Sequence, residues 1–346
     1  MDSTQSDHPD GQSKGNLKID VHMHLAGSGC GRSGCWIHKD LKKRYTIKIL
    51  QFFHRISNEQ MESNLDQLWG EKISKVVEES PLDYGVALGF DGATDSHGER
   101  DLSKSQLIVP PEWVFKLCED YPNLLPGPSV NPHLKDAEET LHRCIEQKAV
   151  LIKWLPSAQL INPSSGTIKG FYRLLAQSGI PLLIHCGGEK TFKSLDPSLN
   201  QVQHLLAPLE EGVKVICAHS ATRVIGSDEE DQRPLLKEYL RRFPNLWVDN
   251  SGLCNPSRFS HVPELASDSL INSRTLYGSD WPVPSNAFYY LGDMGLRKVY
   301  QLERETNWLK RDVAIKEFYG YGPDTLTRAS EVLANVSWWT NRNKEP

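Results

Sequence analysis

The sequence predicts an α/β protein in which eight parallel strands close into a barrel. Two observations carry this prediction: eight short, almost continuously apolar runs recur along the chain, and amphipathic helical stretches separate most of them. A near-continuous apolar run is typical of a strand that is buried on both faces. Strands that alternate with helices indicate a parallel sheet. Eight such strands favour a closed (β/α)8 TIM barrel over an open sheet.

The predicted strands span residues 17–21, 84–90, 124–130, 150–155, 181–185, 213–218, 246–249 and 275–278. Helical patterns follow the third, fourth, fifth and sixth strands, at residues 135–147, 170–177, 200–209 and 233–242. Pro122 and Pro244 each mark a passage from helix to strand, because proline cannot continue a helix. The chain therefore contains the repeated strand and helix units that a barrel requires.

Three segments depart from this repeat. Residues 27–81 form an insertion after the first strand, which opens with a glycine-rich stretch that we expect to be a flexible loop. Residues 91–110 form a polar loop after the second strand, and the chain is mainly helical after Trp281. Both insertions would lie at the C-terminal ends of the strands, where barrel active sites form. We expect residues 1–15 to be a disordered tail and residues 16–346 to form one barrel domain with a helical C-terminal cover.

Composition excludes several classes of protein. Hydrophobic residues make up 38% and charged residues 24% of the 346, as in a soluble globular protein. The formal net charge of −5 argues against a nucleic-acid partner. The absence of an apolar run of ~18 residues argues against a membrane partner. Seven cysteines without a secretion signal predict a reduced, cytoplasmic protein. The predicted partner is a small-molecule substrate, and a homodimer is left open.

The first strand ends in two histidines, His22 and His24. Residues at i and i+2 of a strand point to the same side, so both imidazoles can reach one cation. The alternative to a metal site, from this motif alone, is that two of the twelve histidines fall two residues apart by chance.

Three further polar residues end predicted strands: His185 the fifth, His219 the sixth and Asp280 the eighth. A single histidine at a strand end is usually a hydrogen-bonded structural residue. A barrel, however, brings the same end of every strand to one rim. Four histidines and a carboxylate that converge there predict a metal site.

This set of residues resembles the amidohydrolase superfamily, in its amidohydrolase-related, decarboxylase-like branch. The resemblance rests on His22-x-His24, His185, His219 and Asp280 within Tyr-Gly-Ser-Asp-Trp-Pro, and it covers residues 17 to about 284. It implies a distorted barrel that binds a divalent metal. It further implies that His22, His24 and His185 are ligands, that Asp280 is both a ligand and the proton shuttle, and that His219 either binds a second metal or polarises the substrate.

The implied chemistry is physically consistent, because a divalent cation lowers the pKa of its water to about 7 and a neighbouring carboxylate can take the proton. We expect one divalent ion, zinc. Lys153 ends the fourth predicted strand. In two-metal relatives a lysine there is carboxylated and bridges the ions, whereas in single-metal relatives it is a plain lysine; both readings stay open.

Polar and aromatic residues at or just after the strand ends are candidates for substrate contact, with ordinary packing as the alternative: Asp91, Asn131, His133, Trp154, Asn250 and Trp281. The predicted function is a metal-dependent hydrolase of a small carboxylate, lactone or amide. A non-oxidative decarboxylase is the first alternative. A non-catalytic metal-binding barrel is the second.

Overall fold

The computed structural model describes residues 17–342 and contains all eight predicted barrel strands, together with two short strands from the insertions. The predicted tail lies outside the described residues. The strands are β1 (Ile19–His24), β2 (Trp36–Ile37), β3 (Tyr84–Leu88), β4 (Leu107–Ile108), β5 (Leu124–Gly127), β6 (Ile152–Trp154), β7 (Leu182–Ile184), β8 (Val215–Cys217), β9 (Leu246–Asp249) and β10 (Thr275–Leu276).

The barrel strands pair in parallel as two sheets, one in the order β1-β3-β5 and the other in the order β10-β9-β8-β7-β6. Backbone hydrogen bonds cross both gaps between these sheets. Val150 donates to Pro126 over 2.9 Å on one side, and Val21 donates to the carbonyl of Tyr277 over 3.0 Å on the other. The strands therefore surround a common core, and the predicted barrel is confirmed.

The helices are α1 (Lys39–Lys43), α2 (Tyr45–Phe53), α3 (Asn58–Ser63), α4 (Leu65–Glu78), α5 (Pro111–Asp120), α6 (Ala137–Glu146), α7 (Pro156–Gln159), α8 (Lys169–Ser178), α9 (Leu206–Glu210), α10 (Arg233–Arg242), α11 (His261–Ser267), α12 (Ser269–Ser273), α13 (Leu291–Glu303), α14 (Trp308–Tyr319), α15 (Pro323–Thr327), α16 (Ala329–Val332) and α17 (Val336–Arg342). The last five form the expected C-terminal cover.

Three of the four predicted helices match α6, α8 and α10 closely, whereas residues 200–209 do not form one helix. Two short 3₁₀ turns, Pro197–Asn200 and Val202–Leu205, precede α9. Gln201 between them is extended, with φ −80° and ψ 143°, and Pro208 offers no backbone N–H for helical bonding. The apolar spacing in this stretch therefore reflects packing of short turns rather than one continuous helix.

The two insertions fold against each other over the C-terminal ends of the strands. Residues 27–81 contain α1–α4, and β2 from this insertion pairs antiparallel with β4 from the second. The buried Asp66 carboxylate accepts the backbone N–H groups of Ser28, Gly29 and Cys30. These hydrogen bonds hold the glycine-rich stretch against α4. The sequence analysis expected a flexible loop there and did not predict this contact.

Within residues 17–342, no helix combines the length and the apolar character that crossing a membrane would need.

Candidate metal centre

Polar side chains gather where the barrel strands end. Four non-glycine residues on the segments that follow β8 and β10 have left-handed backbone conformations: His219, Ser220, Ala221 and Asp280, with φ between 48° and 66°. Such conformations cost about 1–3 kcal/mol each and persist only where surrounding contacts impose them. The strain is located on two segments that carry predicted site residues.

His22, His24 and Asp280 bring three donor atoms together. The His22 and His24 Nε2 atoms lie 3.2 Å apart, and the Asp280 Oδ1 atom lies 3.5 Å and 3.3 Å from them. A tetrahedral cation with ligand bonds of about 2.0–2.1 Å separates its donors by about 3.3 Å. The spacing and the two-imidazole, one-carboxylate chemistry therefore fit a divalent transition metal such as zinc.

Asp249 orients the first of these ligands. Its carboxylate lies 2.8 Å from Nδ1 of His22 and also accepts the backbone N–H of His219. A carboxylate on the far nitrogen fixes the tautomer of a histidine, so that Nε2 is free to bind a cation. Sequence analysis selected the neighbouring Asn250 and missed Asp249. The available signal was the position of Asp249 as the last residue of its strand.

His219 and His185 continue the cluster. The His219 Nε2 atom lies 3.2 Å from His185 Nδ1, and the ring centroids of His219 and His22 are 5.0 Å apart. His219 Nδ1 is fixed by Ser251, at 2.8 Å from its hydroxyl. The His185 Nε2 atom lies 3.2 Å from the carbonyl of Gly188. His185 thus contacts His219 and contributes no atom to the His22, His24 and Asp280 group, so its role as a ligand remains a prediction.

Burial controls the charge state of this cluster. Desolvation lowers the pKa of His22, His185 and His219 well below the usual value for histidine, and the positive charge of Lys153 lowers that of His22 and His185 further. Neutral imidazole is the form that binds a metal.

Lys153 lies inside the cluster. Its side chain is almost fully buried, and Nζ is 3.1 Å from Nε2 of His22. Burial lowers the pKa of Lys153 to about 8, although Asp249 and Asp280 act in the opposite direction. The structure places this lysine beside the candidate ligand His22, and both its role at a metal and its carboxylation remain predictions.

Asp20 joins the two segments that carry the candidate ligands His22 and Asp280. Its Oδ1 atom accepts the backbone N–H of His22 at 2.9 Å and that of Ser279 at 3.0 Å, whereas Oδ2 has no hydrogen-bond partner in the described part of the chain. Burial raises the pKa of Asp20 to about 7, against the effect of these hydrogen bonds. Asp20 therefore fixes β1 relative to the Asp280 segment, a role that sequence analysis did not assign.

A cavity of about 270 Å³ opens onto these residues. His24, His185, His219 and Asp280 line one part of it. Apolar side chains supply most of the remaining wall, largely from the first insertion: Ile37, Leu41, Ile47, Ile49, Leu50, Ile56, Met61, Leu65 and Trp69. The space is suited to a ligand with an apolar body and a polar group directed at the histidines.

Arg258 also lines the cavity, and sequence analysis did not select it. This residue is only 6% exposed, and one of its terminal nitrogens donates to the carbonyl of Gly188. Its Nε has no partner among residues 17–342. Burial lowers the pKa of Arg258, with Asp280 and Glu189 opposing that effect. A buried guanidinium with a free donor is suited to an anionic ligand group.

None of the six residues predicted to contact substrate lines this cavity. Asp91 pairs with Arg100 at 2.7 Å, and the Asn131 amide donates to two backbone carbonyls. His133 accepts the backbone N–H of Asn162 at 3.3 Å. These three side chains therefore stabilise loops around β3 and β5 rather than facing the cavity.

The other three are buried in packing. Trp154 donates to the carbonyl of Val130 and packs against Phe171 of α8, because it points away from the face that carries Lys153. Asn250 accepts the N–H of Gly278 at 3.1 Å. Trp281 packs on His54 with ring centroids 4.9 Å apart. These contacts describe the environment of the three side chains, and substrate contact by them remains a prediction.

Comparison with known proteins agrees with this architecture. A family model described as "Amidohydrolase" matches residues 19–306. A TIM-barrel protein of uncharacterised function from Bordetella bronchiseptica has 15% identity, covers 88% of this chain and 99% of its own, and gives a TM-score of 0.55. The apo structure of IDCase from Metarhizium anisopliae has 12% sequence identity and a TM-score of 0.50. The match covers 91% of this chain and 97% of that one. At these identities both structures show the fold alone. No curated protein matches the chain by sequence.

The family match spans more than half of the chain and includes all five residues that carry the sequence resemblance, from His22 to Asp280. The family is metal-dependent, and the chain holds a histidine and aspartate group of the required chemistry at the rim of the barrel. The chain therefore belongs to the amidohydrolase family.

Proposed function

We propose that the chain is a metal-dependent hydrolase that acts on a small carboxylate, lactone or amide. The observation that carries this proposal is the convergence of His22, His24 and Asp280, whose donor atoms lie 3.2–3.5 Å apart beside an apolar cavity. Amidohydrolase membership independently supports an enzyme. A purely structural core has no need for such a cluster of polar groups at a cavity, which argues against a non-catalytic barrel.

The residues have distinct proposed roles. A divalent cation, when bound, supplies a Lewis acid that acidifies water and polarises a carbonyl. His22 and His24 hold it, with Asp280 and His185 as further ligands. The Asp280 carboxylate, which also lines the cavity, takes a proton from water and passes it to the leaving group. His219, fixed by Ser251, polarises the substrate from the cavity wall.

Arg258 supports a carboxylate within the proposed substrate class. Its unpartnered Nε is satisfied when an anionic group enters the cavity. The apolar wall then contacts the body of the substrate, and the carbonyl to be attacked lies toward Asp280.

Decarboxylation is the second candidate, and the apolar wall favours it. A carboxylate that enters this cavity exchanges water for largely apolar surroundings. Cleavage of the C–C bond would release neutral carbon dioxide and leave the electron pair on carbon, and transfer of a proton to that carbon would remove the buried charge and its cost. The same ligands serve both reactions.

Isotope labelling separates the two candidates. The zinc-loaded protein is incubated with a panel of carboxylates, lactones and amides in ¹⁸O-water, with His24→Ala as the inactive control. Hydrolysis places ¹⁸O in the product without release of carbon dioxide. Release of carbon dioxide together with an organic product that contains no ¹⁸O would replace the hydrolase proposal by the decarboxylase. A wild-type protein that binds no divalent metal would overturn both.

We further propose one tightly bound ion per chain, zinc. A second ion would require a bridging anion, which a carboxylated Lys153 would provide from β6. Elemental analysis of the purified protein gives the metal count, and electron density at Lys153 shows its chemical state. Two ions bridged by a modified lysine would overturn the single-metal proposal and strengthen hydrolysis.

A further inference from the structure

Helix α2 presents an apolar surface to solvent. Tyr45, Ile49, Phe52 and Phe53, which we call the α2 outer face, are 69%, 45%, 79% and 49% exposed. Their spacing places them on one side of the helix, since residues three and four apart are neighbours. Burying a large apolar side chain is favourable, so a contiguous exposed group of four indicates an interaction surface.

The opposite side of α2 faces the cavity. Ile47, Leu50 and Gln51 line it, and Gln51 is buried. Ile49 belongs to both surfaces, because it lines the cavity and is 45% exposed. The outer face therefore borders the cavity, and whatever covers this face lies next to the cavity wall.

Basic residues predominate in the segment that carries the α2 outer face. From residue 39 to residue 55 the chain has one acidic residue, Asp40, and six basic residues: Lys39, Lys42, Lys43, Arg44, Lys48 and Arg55. Lys42 pairs with Glu62 of α3 at 2.7 Å, and Arg44 donates to the carbonyl of Lys190, itself an exposed basic residue. This local excess of positive charge contrasts with the net charge of −5 for the whole chain.

We propose that α1 and α2 dock on an anionic lipid surface, with the α2 outer face in the interfacial layer and the basic residues on the headgroups. Exposed aromatic and aliphatic side chains flanked by lysine and arginine are the composition of helices that lie in a membrane interface. Such docking differs from spanning. It places the cavity beside the lipid, from which an amphiphilic substrate would have a short path.

Electrostatics favours an anionic lipid surface, rather than a second copy of the chain, as the partner of the α2 outer face. A symmetric dimer through α2 would bring the same basic residues of two subunits together, because a twofold interface pairs each surface with itself. Like charges facing each other across an interface are unfavourable. An anionic lipid surface supplies both the negative charge and an apolar layer for Phe52 and Tyr45.

Vesicle binding by the full metal-loaded chain tests the proposal. The probes are vesicles of phosphatidylcholine alone and of phosphatidylcholine with phosphatidylserine, at low and high salt. We expect binding to the anionic vesicles that weakens with salt. Replacing Lys43→Gln and Lys48→Gln together should lower the partition coefficient about fivefold per charge. Phe52→Ser should lower it about tenfold, as expected when a large apolar contact is lost.

The matched control is Leu296→Ser, which removes a 75% exposed apolar side chain from α13 and should leave vesicle binding unchanged. All of these positions are solvent-exposed, so thermal unfolding of each variant should match the wild type. Absence of wild-type binding to anionic vesicles would overturn the proposal. Binding to poly-L-glutamate without binding to vesicles would assign the surface to an acidic protein instead, and equal losses in Leu296→Ser would show nonspecific adsorption.

Discussion

The carboxylate of Asp249 lies 2.8 Å from Nδ1 of His22, so a residue from the seventh barrel strand sets the orientation of a proposed metal ligand on the first. Both side chains are fully buried. This pairing leaves Nε2 of His22 facing His24 and Asp280. The geometry of the proposed metal centre therefore depends on packing across the barrel as well as on the proposed ligands themselves.

Replacing Asp249 by asparagine should weaken metal binding without emptying the site. The amide keeps the size of the side chain but loses the charge that fixes the His22 tautomer, and loss of such a partner typically costs 10–100-fold in affinity. Competition with a fluorescent chelator measures the change. Asp91→Asn, which alters another buried carboxylate that does not line the cavity, is the control and should leave metal affinity at the wild-type value. Equal affinities for Asp249→Asn and wild type would contradict this role.

His24→Ala should abolish metal retention and activity while the barrel stays folded. His24 lies at the cavity and its side chain is 20% exposed, so its removal leaves little empty volume in the core. We expect metal content below about a tenth of wild type after dialysis, with Tm within about 4 °C. His142→Ala on the exposed side of α6 is the matched control. Full metal content and turnover in His24→Ala would remove this residue from the site.

His22→Ala should also abolish metal binding, but with a larger loss of stability. His22 is fully buried, and its removal takes the partner of the Asp249 carboxylate away. Leaving Oδ2 of the buried Asp249 carboxylate without this donor should cost about 1–3 kcal/mol. Denaturant unfolding of apo His22→Ala and apo His24→Ala measures the difference, and equal free energies of unfolding would contradict the buried pairing.

Asp280→Asn should lower turnover far more than metal content. The amide oxygen can still face the cation, but an amide cannot accept a proton at neutral pH. Loss of a positioned acid–base group typically costs 10²–10⁴-fold in rate. Turnover is compared at saturating zinc, with metal content determined on the same sample. Turnover near the wild-type value would exclude Asp280 as the proton shuttle.

The buried His54 should lower the free energy of unfolding in mild acid. Burial lowers the pKa of His54 to about 4, and Lys72 adds to this, against the hydrogen bond to the carbonyl of Pro282. In the unfolded chain its pKa is about 6.5. Between these values the unfolded state binds a proton that the folded state excludes. The free energy of unfolding therefore falls as pH falls from about 7 to 4, by up to about 3 kcal/mol from this residue.

Urea unfolding of wild type and His54→Asn across this pH range isolates that contribution. The variant cannot titrate here, so the difference in unfolding free energy between the two proteins should change between pH 4 and 7 and stay constant above pH 7. A difference that is independent of pH would show that His54 titrates normally in the folded protein.

Several features could be predicted from the sequence because they depend on local pattern. The apolar runs identified all eight barrel strands, and the run at residues 246–249 has the same first and last residues as β9. Some strands are shorter than the predicted runs for local reasons. The run at residues 124–130 predicts a strand that ends at residue 130, but β5 ends at Gly127 because Pro128 has no N–H to extend the ladder. The family resemblance, carried by His22, His24 and Asp280, is confirmed by the match over residues 19–306.

The sequence by itself determined the barrel, the rim on which polar residues gather and the family. Only the tertiary structure decided which rim residues face inward. Asp249 contacts His22 while Asn250 holds a loop, and Lys153 points to the cluster while Trp154 packs on α8. Adjacent residues on a strand face opposite sides, so a boundary uncertain by one residue reverses the assignment. The cavity wall was equally inaccessible to sequence, because α2 and Arg258 reach it through long-range packing that no local pattern encodes.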